Sequence, residues 1–518
     1  MPHIDPQGGP ILVLGATGYV GGRLVPRLLN LGYTVRAGAR SVAKLSCRPY
    51  SQHPRLQLAG VDVLDESSLE QALSGCQAAF YLVHSMQAKG GGFRNLDQEA
   101  ARNMVRAAQK TDLKRIIYLG GLGDDADDLS EHLRSRYEVG RILQQGQVPT
   151  TFLRAAILLG AGSASFELIR YLVDRLPIMT TPRWVFTESQ PIAVSNVLTY
   201  LTGCLQVEAT SGKTFEIGGP DVLSYKELFD IYAQEAALRK RIIIPIPLLT
   251  PRLSAAWIHL VTPVPAGIAK PLIDGLRNRV VCRENRIRDL VPQDLLTCRQ
   301  AIRQALQKIK QQEVDTCWSD AGELNPPEWV TCGDASYAGG TILECNYKVT
   351  LGSTPEALWP VISSLGGEKG WGYANVLWGV RGLMDRLIGG IGLSRGRRTS
   401  QDLRVGDALD FWRVLVVEEN QRLQLLAEMK LPGEAVLEFE LVDLGQDRCE
   451  LRLISRFLPR GLLGLAYWYS VYPLHGLVFK GMLKSMAKAS GAKVLGGPES
   501  FDSSRDSCAL PDRSRKKS

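Results

Sequence analysis

The stretch SEHLRSRYEVGRIL, Ser130 to Leu143, contains two pairs of residues whose types and spacing suit chemistry. Tyr137 stands four residues before Arg141, and His132 stands four before Arg136. Residues i and i+4 share one face of a helix, so either pair would set an acid–base group beside a permanent cation. An imidazole exchanges a proton near neutral pH, and a guanidinium holds hydroxyls or phosphate through its fixed fork of donors. Such a pair needs neighbouring elements to bring a reactant to it.

The run PILVLGATGYVGGRLVPRLLNLGYTVRAGAR supplies the first of them. A short apolar strand, Ile11 to Leu14, meets a glycine-rich turn, then a helical pattern, then a second strand from Thr34 to Ala39. This is a βαβ unit with Gly15-x2-Gly18-x2-Gly21 at its first turn. Glycines there let the backbone approach a pyrophosphate, which rests on the positive end of the following helix. Gly15, Thr17, Gly18, Tyr19, Val20 and Gly21 are therefore candidates for holding a dinucleotide. Pro26 removes one backbone bond within that helix, so a kink is expected. The second strand ends in VRAGARS, without the acid that binds a ribose 2′-hydroxyl. Arg36, Arg40 and Ser41 stand there instead and suit a 2′-phosphate, so NADP, with NADPH favoured over NADH, is the expected cofactor.

Strands and helices go on alternating. RLQLAGVDVLD, AAFYLVHSM, LKRIIYLGGLG and TTFLRAAILLG read as strands three to six, with a polar helix from Leu96 to Lys110. Alternation of this kind implies an α/β Rossmann-type, doubly wound parallel sheet with its ligand at the carboxyl ends of the strands. Those ends carry Leu82, Val83, His84 and Ser85, then Gly120 to Leu122, then Ala155 to Ile157.

Residues 10 to about 290 resemble the atypical or extended short-chain dehydrogenases (SDRs), near their NmrA-like and sugar-nucleotide-epimerase-like branches. The phrases GATGYVGG, VRAGAR, VDVLD, YLVHS, RIIYLGGLG, QPIAVSNVLTYL and TFEIGGPDVLSYKEL carry the resemblance. It implies that Asp62 and Val63 contact adenine, and that residues from about 160 to 290 form a substrate lobe. In that family a Tyr-x2-Ser-Lys phrase supplies the proton and binds the nicotinamide ribose. Ser135 directly precedes Arg136, so the resemblance puts His132 at the Tyr position and Arg136 at the Lys position. Tyr137 and Arg141 then fall outside the dyad. The fifth strand ends in Leu119-Gly120-Gly121, where the family's carbonyl-orienting Ser or Thr is missing.

The second half differs. A helix pattern follows Val291, and a stretch holding Trp318, Trp329 and Tyr337 reads as an irregular connector to residue 342. From 343 to 490 a strand, a helix starting at Ser353-Thr354-Pro355-Glu356, two hairpins and a last helix imply an α+β antiparallel domain. The hairpins are expected to turn near Glu419-Asn420 and Gly445-Gln446-Asp447. This order resembles the helix-grip fold of START and polyketide-cyclase-like proteins, which implies an apolar ligand cavity under the last helix. The two-domain layout also resembles an uncharacterised bacterial group whose second domain is of unknown function. Trp371, Trp378, Arg381, Asp385, Arg395, Arg397 and Arg398 suit either an anion clamp or a surface cluster pairing with Asp407 and Asp410. The tail from 491 to 518 is polar and is expected to be disordered.

Composition narrows the classes. With 518 residues, 45% apolar and 22% charged, the chain is ordinary globular material for two or three domains. A net charge of +8 spread along this length does not favour nucleic acid, but suits anionic small molecules or an acidic membrane surface. The ten cysteines show no metal or disulfide spacing, so no metal is expected and a reducing cytoplasm is. MPHIDPQGG has no signal-peptide pattern. Gly461 to Phe479 lacks charged residues, but Ser470, Pro473, His475 and three tyrosines dilute it. It reads as a buried or membrane-surface element and allows peripheral membrane contact. Three functions are consistent with these features: an oxidoreductase acting on an apolar or quinone-like molecule, a non-catalytic dinucleotide sensor, or a membrane-surface assembly or lipid-handling factor.

Overall fold

The computed structural model describes residues 4–46, 48–83, 93–123, 129–245, 274–310, 342–388, 390–394, 397, 403–459 and 461–501. The chain divides into two compact units, Met1–Glu323 and Leu324–Ser518.

In the first unit, β1 (Ile11–Leu14), β2 (Val35–Ala39), β3 (Leu56–Gly60), β4 (Ala78–Tyr81), β5 (Arg115–Gly121), β6 (Thr150–Ala155) and β7 (Thr214–Ile217) form one sheet. Its order is β7-β6-β5-β4-β1-β2-β3, and every pairing is parallel. Parallel neighbours need a crossover, and helices supply it. Helix α1 (Gly21–Asn30) follows β1, α2 (Glu66–Leu73) follows β3, α3 (Phe93–Gln109) follows β4 and α4 (Glu131–Gln144) follows β5. The chain leaves β1 toward β2 on one side and later returns to β4 on the other, which makes the carboxyl ends of β1 and β4 the switch point. Strands β1 and β4 are buried along their whole length, as a sheet covered on both faces requires. Leu24, Leu28 and Leu201 pack one face, and Leu73, Met104 and Leu143 the other. Helix α1 runs unbroken through Pro26.

Helices α5 (Ala164–Arg175), α7 (Tyr225–Glu235) and α8 (Cys298–Lys310) build a smaller lobe, while α6 (Val194–Gln206) packs on the sheet. Helix α8 was expected in a connector beginning at 291, and its place in the first unit corrects that boundary. Its Cys298, Ala301, Ile302 and Ala305 recur every three or four residues, and that stripe is buried against Tyr225, Leu228 and Phe229.

The second unit is a seven-stranded antiparallel sheet backed by helices. Strands β8 (Leu343–Gly352), β9 (Ala408–Leu409), β10 (Trp412–Glu418), β11 (Arg422–Ala427), β12 (Gly433–Gly445), β13 (Arg448–Pro459) and β14 (Lys493–Ser500) lie in the order β9-β10-β11-β12-β13-β8-β14. Both hairpin turns fall where expected. Asn420 takes φ 61°, and Gln446 and Asp447 take φ 55° and 53°, left-handed values that Asn and Asp tolerate better than most residues. Residues 493–500 were expected in a disordered tail, but they pair with β8 as strand β14. Residues 502–518 of that tail, and the connector 311–341, lie outside the described residues.

Period-two alternation gives this sheet two unlike faces. Leu437, Phe439, Leu441, Leu451, Leu453 and Val349 face the core. Between them, Glu438 meets Gln424 and Arg456, Arg456 also meets Glu344, and Lys348 meets Glu450. Helix α11 (Gly461–Ala489) lies over the apolar face with Trp468, Phe479, Met482, Leu483 and Met486 buried. Each such side chain contributes about 1.5–3 kcal/mol. Among the described residues no helix is long and apolar enough to cross a membrane.

Two further helices, α9 (Pro355–Ile362) and α10 (Asn375–Leu387), complete the unit. Asp385 on α10 is fully buried. Its Oδ2 accepts from the Gly392 N–H at 2.8 Å and its Oδ1 from the Lys430 N–H at 2.7 Å. One carboxylate thus ties α10 to the loop after it and to the link between β11 and β12. Removing it leaves two donors unpaired. Asp385→Ala is expected to destabilise this unit by about 2–5 kcal/mol, read as a lower urea midpoint with an unchanged slope.

Candidate functional site

The glycine turn is built by close approach. Gly15 takes φ 81°, and a Cβ there would lie 2.8 Å from the Leu82 carbonyl oxygen. A Cβ on Gly21 would lie 2.3 Å from the Gly15 carbonyl oxygen. The Gly15 and Ala16 N–H groups both donate to the Gly38 carbonyl at 3.2 Å, and the Gly18 N–H to the Gly15 carbonyl at 2.9 Å. The amino end of α1 is thereby held against the carboxyl ends of β1 and β4, with Leu82 and Val83 beside it. This bare backbone, closed to any larger residue at Gly15 and Gly21, fits a dinucleotide pyrophosphate. Tyr19 turns sideways: its ring lies under the Arg23 guanidinium at 4.7 Å, and its hydroxyl abuts Gly160. Thr17 and Val20 complete the turn, and His84 and Ser85 lie outside the described residues.

The basic residues expected at a 2′-phosphate separate. Arg36 is the second residue of β2, toward the amino end of the strand. Its Nη1 donates to the Ala72 and Ser74 carbonyls at 2.7 and 2.8 Å, and its Nε to Gln57 Oε1 at 2.9 Å. It ties β2 to the end of α2, and its reading as a phosphate ligand is corrected accordingly. Arg40 follows the carboxyl end of β2. Burial lowers its pKa, and the charge of Asp62 partly offsets this. Asp62 itself accepts from the Leu64 N–H through Oδ1 at 3.0 Å; Val63 follows it in sequence, and Ser41 follows Arg40. Sequence reasoning missed Arg48, which is buried and whose Nη2 donates to the Thr17 carbonyl at 3.3 Å. Its only signal was a cation seven residues past Ser41.

Helix α4 carries the candidate dyad. Ser130 caps it by accepting from the Leu133 N–H, and the Ser135 hydroxyl donates to Asp97 of α3 at 2.9 Å. With Ser135 turned inward to α3, Leu133 and Arg136 face the end of β5. A Cβ on Gly121 would lie 2.8 Å from Leu133 Cδ2 and 3.7 Å from Arg136 Cβ. A Cβ on Gly120 would strike the Phe152 and Tyr118 rings at 2.7 and 2.9 Å. The missing Ser or Thr at this strand end is therefore matched by packing that leaves no room for one. The Tyr118 hydroxyl donates to the Arg136 carbonyl at 3.0 Å, and burial pushes its pKa up to about 12. Tyr137 and Arg141 meet each other instead, with Arg141 Nη1 3.3 Å from the hydroxyl.

The electrostatics of His132 depart from an ordinary imidazole. Its side chain keeps some contact with solvent, yet burial of the ring, with the Arg136 charge adding, pushes its pKa down to about 3. His132 is therefore neutral at neutral pH. It can donate or accept one hydrogen bond, but it is no imidazolium acid, and the expectation of acid–base exchange near neutrality is corrected on that point.

In the second unit Asp410 meets no arginine among the described residues. That carboxylate accepts from Trp371 Nε1 at 3.0 Å and the Gly367 N–H at 3.2 Å, and burial pushes its pKa up to about 6. Arg397 donates to the Leu365 carbonyl at 2.9 Å, while Arg395 and Arg398 lie outside the described residues. A cavity of about 360 Å³ in the first unit, lined by Ala108, Lys114, Arg115, Val148 and Pro149, lies at the amino ends of β5 and β6, the wrong edge for a nucleotide.

Comparison with known proteins agrees with this geometry. Residues 15–168 match the NAD(P)H-binding family, and residues 337–482 match the family described as Protein of unknown function (DUF2867). Dihydroflavonol 4-reductase of Hordeum vulgare is 30% identical over 145 residues, which are 26% of this chain and 40% of that enzyme. The mitochondrial NADH dehydrogenase (ubiquinone) 1 alpha subcomplex subunit 9 of Arabidopsis thaliana is 24% identical over 307 residues, 55% of this chain and 74% of that subunit. Among solved structures, a nucleoside-diphosphate-sugar epimerase from Staphylococcus aureus is 16% identical with a TM-score of 0.47, covering 57% of this chain and 99% of that one. An NADPH-dependent quinone oxidoreductase from Escherichia coli, complexed with NADPH, is 18% identical with a TM-score of 0.46, covering 56% and 98%. The first unit contains the region that matches the NAD(P)H-binding family, carried on a Rossmann-type parallel sheet. The second unit contains the DUF2867 region.

Two predictions follow from the geometry. Gly21→Val drives a side chain into the Gly15 carbonyl, and is expected to abolish nucleotide binding in a fluorescence titration. His132 also makes folding sensitive to acid. Its folded pKa of about 3 lies below the ordinary imidazole value of about 6.5. As pH falls through 6.5 only the unfolded chain takes up the proton, so stability present above that pH is lost progressively down to about pH 3. The loss is about 2 kcal/mol between pH 7 and pH 5. His132→Asn is expected to remove that share of the drop, measured by denaturation at both pH values.

Proposed function

We propose that this protein is an NADPH-dependent oxidoreductase acting on an apolar, quinone-like molecule, without a proton relay supplied by its own side chains. The observation that carries the reading is the pairing of an intact glycine cradle with a neutral His132 beside Arg136 on the helix that faces the end of β5. The bound dinucleotide would supply a hydride. Arg136 would hold the nicotinamide ribose through its fork of donors, and His132 would orient an acceptor oxygen by a single hydrogen bond. An acceptor whose reduced form takes its proton from water suits such a site, because no group of ordinary acidity stands at the dyad positions. Arg40 and Arg48, near the glycine turn, favour a 2′-phosphate and hence NADPH over NADH. The reductase among the relatives is in keeping with hydride chemistry.

A second reading is non-catalytic: the first unit would hold the dinucleotide as a sensor or structural element. The filled space at Gly120 and Gly121 favours it, since the usual carbonyl-orienting side chain has no room.

Titration with NADPH and NADH, followed by mixing the NADPH complex with short-chain quinones, separates these readings. The expected result is tighter NADPH binding, oxidation of the bound nucleotide, and a rate flat from about pH 5 to 8, because the imidazole does not titrate there. Arg40→Ala is expected to weaken NADPH about ten- to a hundredfold and to leave NADH nearly unchanged, whereas Arg36→Gln leaves both affinities as they are. Tight binding with no oxidation by any quinone or aldehyde would establish the non-catalytic reading.

A further inference from the structure

Helix α10 is built inside out. Asp385 is 0% exposed, while Val376 and Leu387, on the same helix, are 79% and 71% exposed. Val380, Leu383 and Met384 are exposed between them. The spacing of these five makes one apolar stripe, the kind of face a surface helix ordinarily buries. The opposite face is fixed in place. Trp378 packs 5.5 Å from Trp371, a Cβ on Gly382 would lie 2.8 Å from Leu393 Cγ, and Asp385 holds its two N–H groups. The stripe cannot turn inward without breaking all of these.

Helix α11 lies alongside in the opposite direction. The Tyr373 ring sits over Gly481, the Ser485 hydroxyl donates to the Gly372 carbonyl at 2.9 Å, and Arg381 lies 5.7 Å over the Tyr467 ring. At seven-residue steps Leu463, Ser470, Leu477 and Lys484 share one face of α11, with Lys488 one turn on. Leu463 and Leu477 are exposed, as are Tyr469 and Tyr472. The free face thus passes from apolar to cationic along the helix. Neither helix offers an exposed acid: α11 contains no Asp or Glu, and Asp385 is the only one in α10.

We propose that α10 and the free face of α11 dock on an anionic lipid surface, with the apolar stripe entering the interface and Lys484 and Lys488 meeting headgroup phosphates. Apolar side chains bordered by cations and tyrosines are what such a surface recognises. A second copy of the chain fits less well, because a two-fold contact would bring the same acid-free cationic face against itself. Among the described residues no helix can span, so the contact is peripheral.

Flotation of the full-length protein with phosphatidylcholine vesicles, with and without phosphatidylglycerol, tests this independently of any nucleotide. Binding is expected to the anionic vesicles and to weaken with salt. The double variant Val376→Ser, Leu387→Ser, which alters only exposed side chains, should keep its melting temperature and bind about tenfold less. The double variant Lys484→Gln, Lys488→Gln should bind anionic vesicles about twenty-five-fold less, about fivefold for each charge, and lose its salt dependence. Absence of flotation with anionic vesicles overturns the proposal, as does flotation that neither variant weakens. A lipid-free dimer dissolved by the serine variant would assign the stripe to a second copy and overturn it too.

Discussion

The contact between Gly21 and the Gly15 carbonyl is the constraint on which the first unit depends. Two residues without side chains let α1 start directly against the end of β1, and Gly15 closes the same corner onto Leu82 of the chain leaving β4. That corner is where the sheet order reverses, so it fixes both the positive end of α1 and the edge at which any ligand meets the strands. Helix α4 then matters because it is anchored to that edge. Ser135 is held by Asp97 on α3, and on the same helix Leu133 and Arg136 reach the end of β5. A wider turn at Gly21 would leave the dyad positions where they are and open the corner at which α1 meets β1.

The local rules were legible where they involved only near neighbours. Period-two alternation with Asn420 and Gln446-Asp447 at the turns placed both hairpins, and strand–helix alternation gave the parallel sheet. What the sequence hid were facts of direction and depth. Arg36 looked like a ligand because its strand ended in basic residues, but it is the second residue of β2 and reaches the carbonyls of Ala72 and Ser74. Arg48 was invisible because its approach to Thr17 depends on how the chain folds back after β2. The neutrality of His132 depends on burial, which spacing does not encode. Residues 493–500 carry little apolar alternation, and as edge strand β14 they pair with the sheet on one side only.

Helix α10 is the sharpest departure, and its energetics make it informative. Leaving Val376, Val380, Leu383, Met384 and Leu387 in water forgoes about 1.5–3 kcal/mol for each. Burying the Asp385 carboxylate incurs a desolvation cost that its two N–H partners must offset. Turning the helix halfway round would reverse both terms, yet Gly382 against Leu393 and Trp378 against Trp371 hold it as it is. No helix was expected over this stretch, and the helix that forms turns its apolar stripe outward. A fold whose hairpins, caps and sheet faces otherwise obey local rules, but which breaks one rule on a single helix at this cost, has that helix set by something outside its own core. Neither α10 nor α11 carries an exposed Asp or Glu, and under the proposal above that is what suits the pair to an anionic surface.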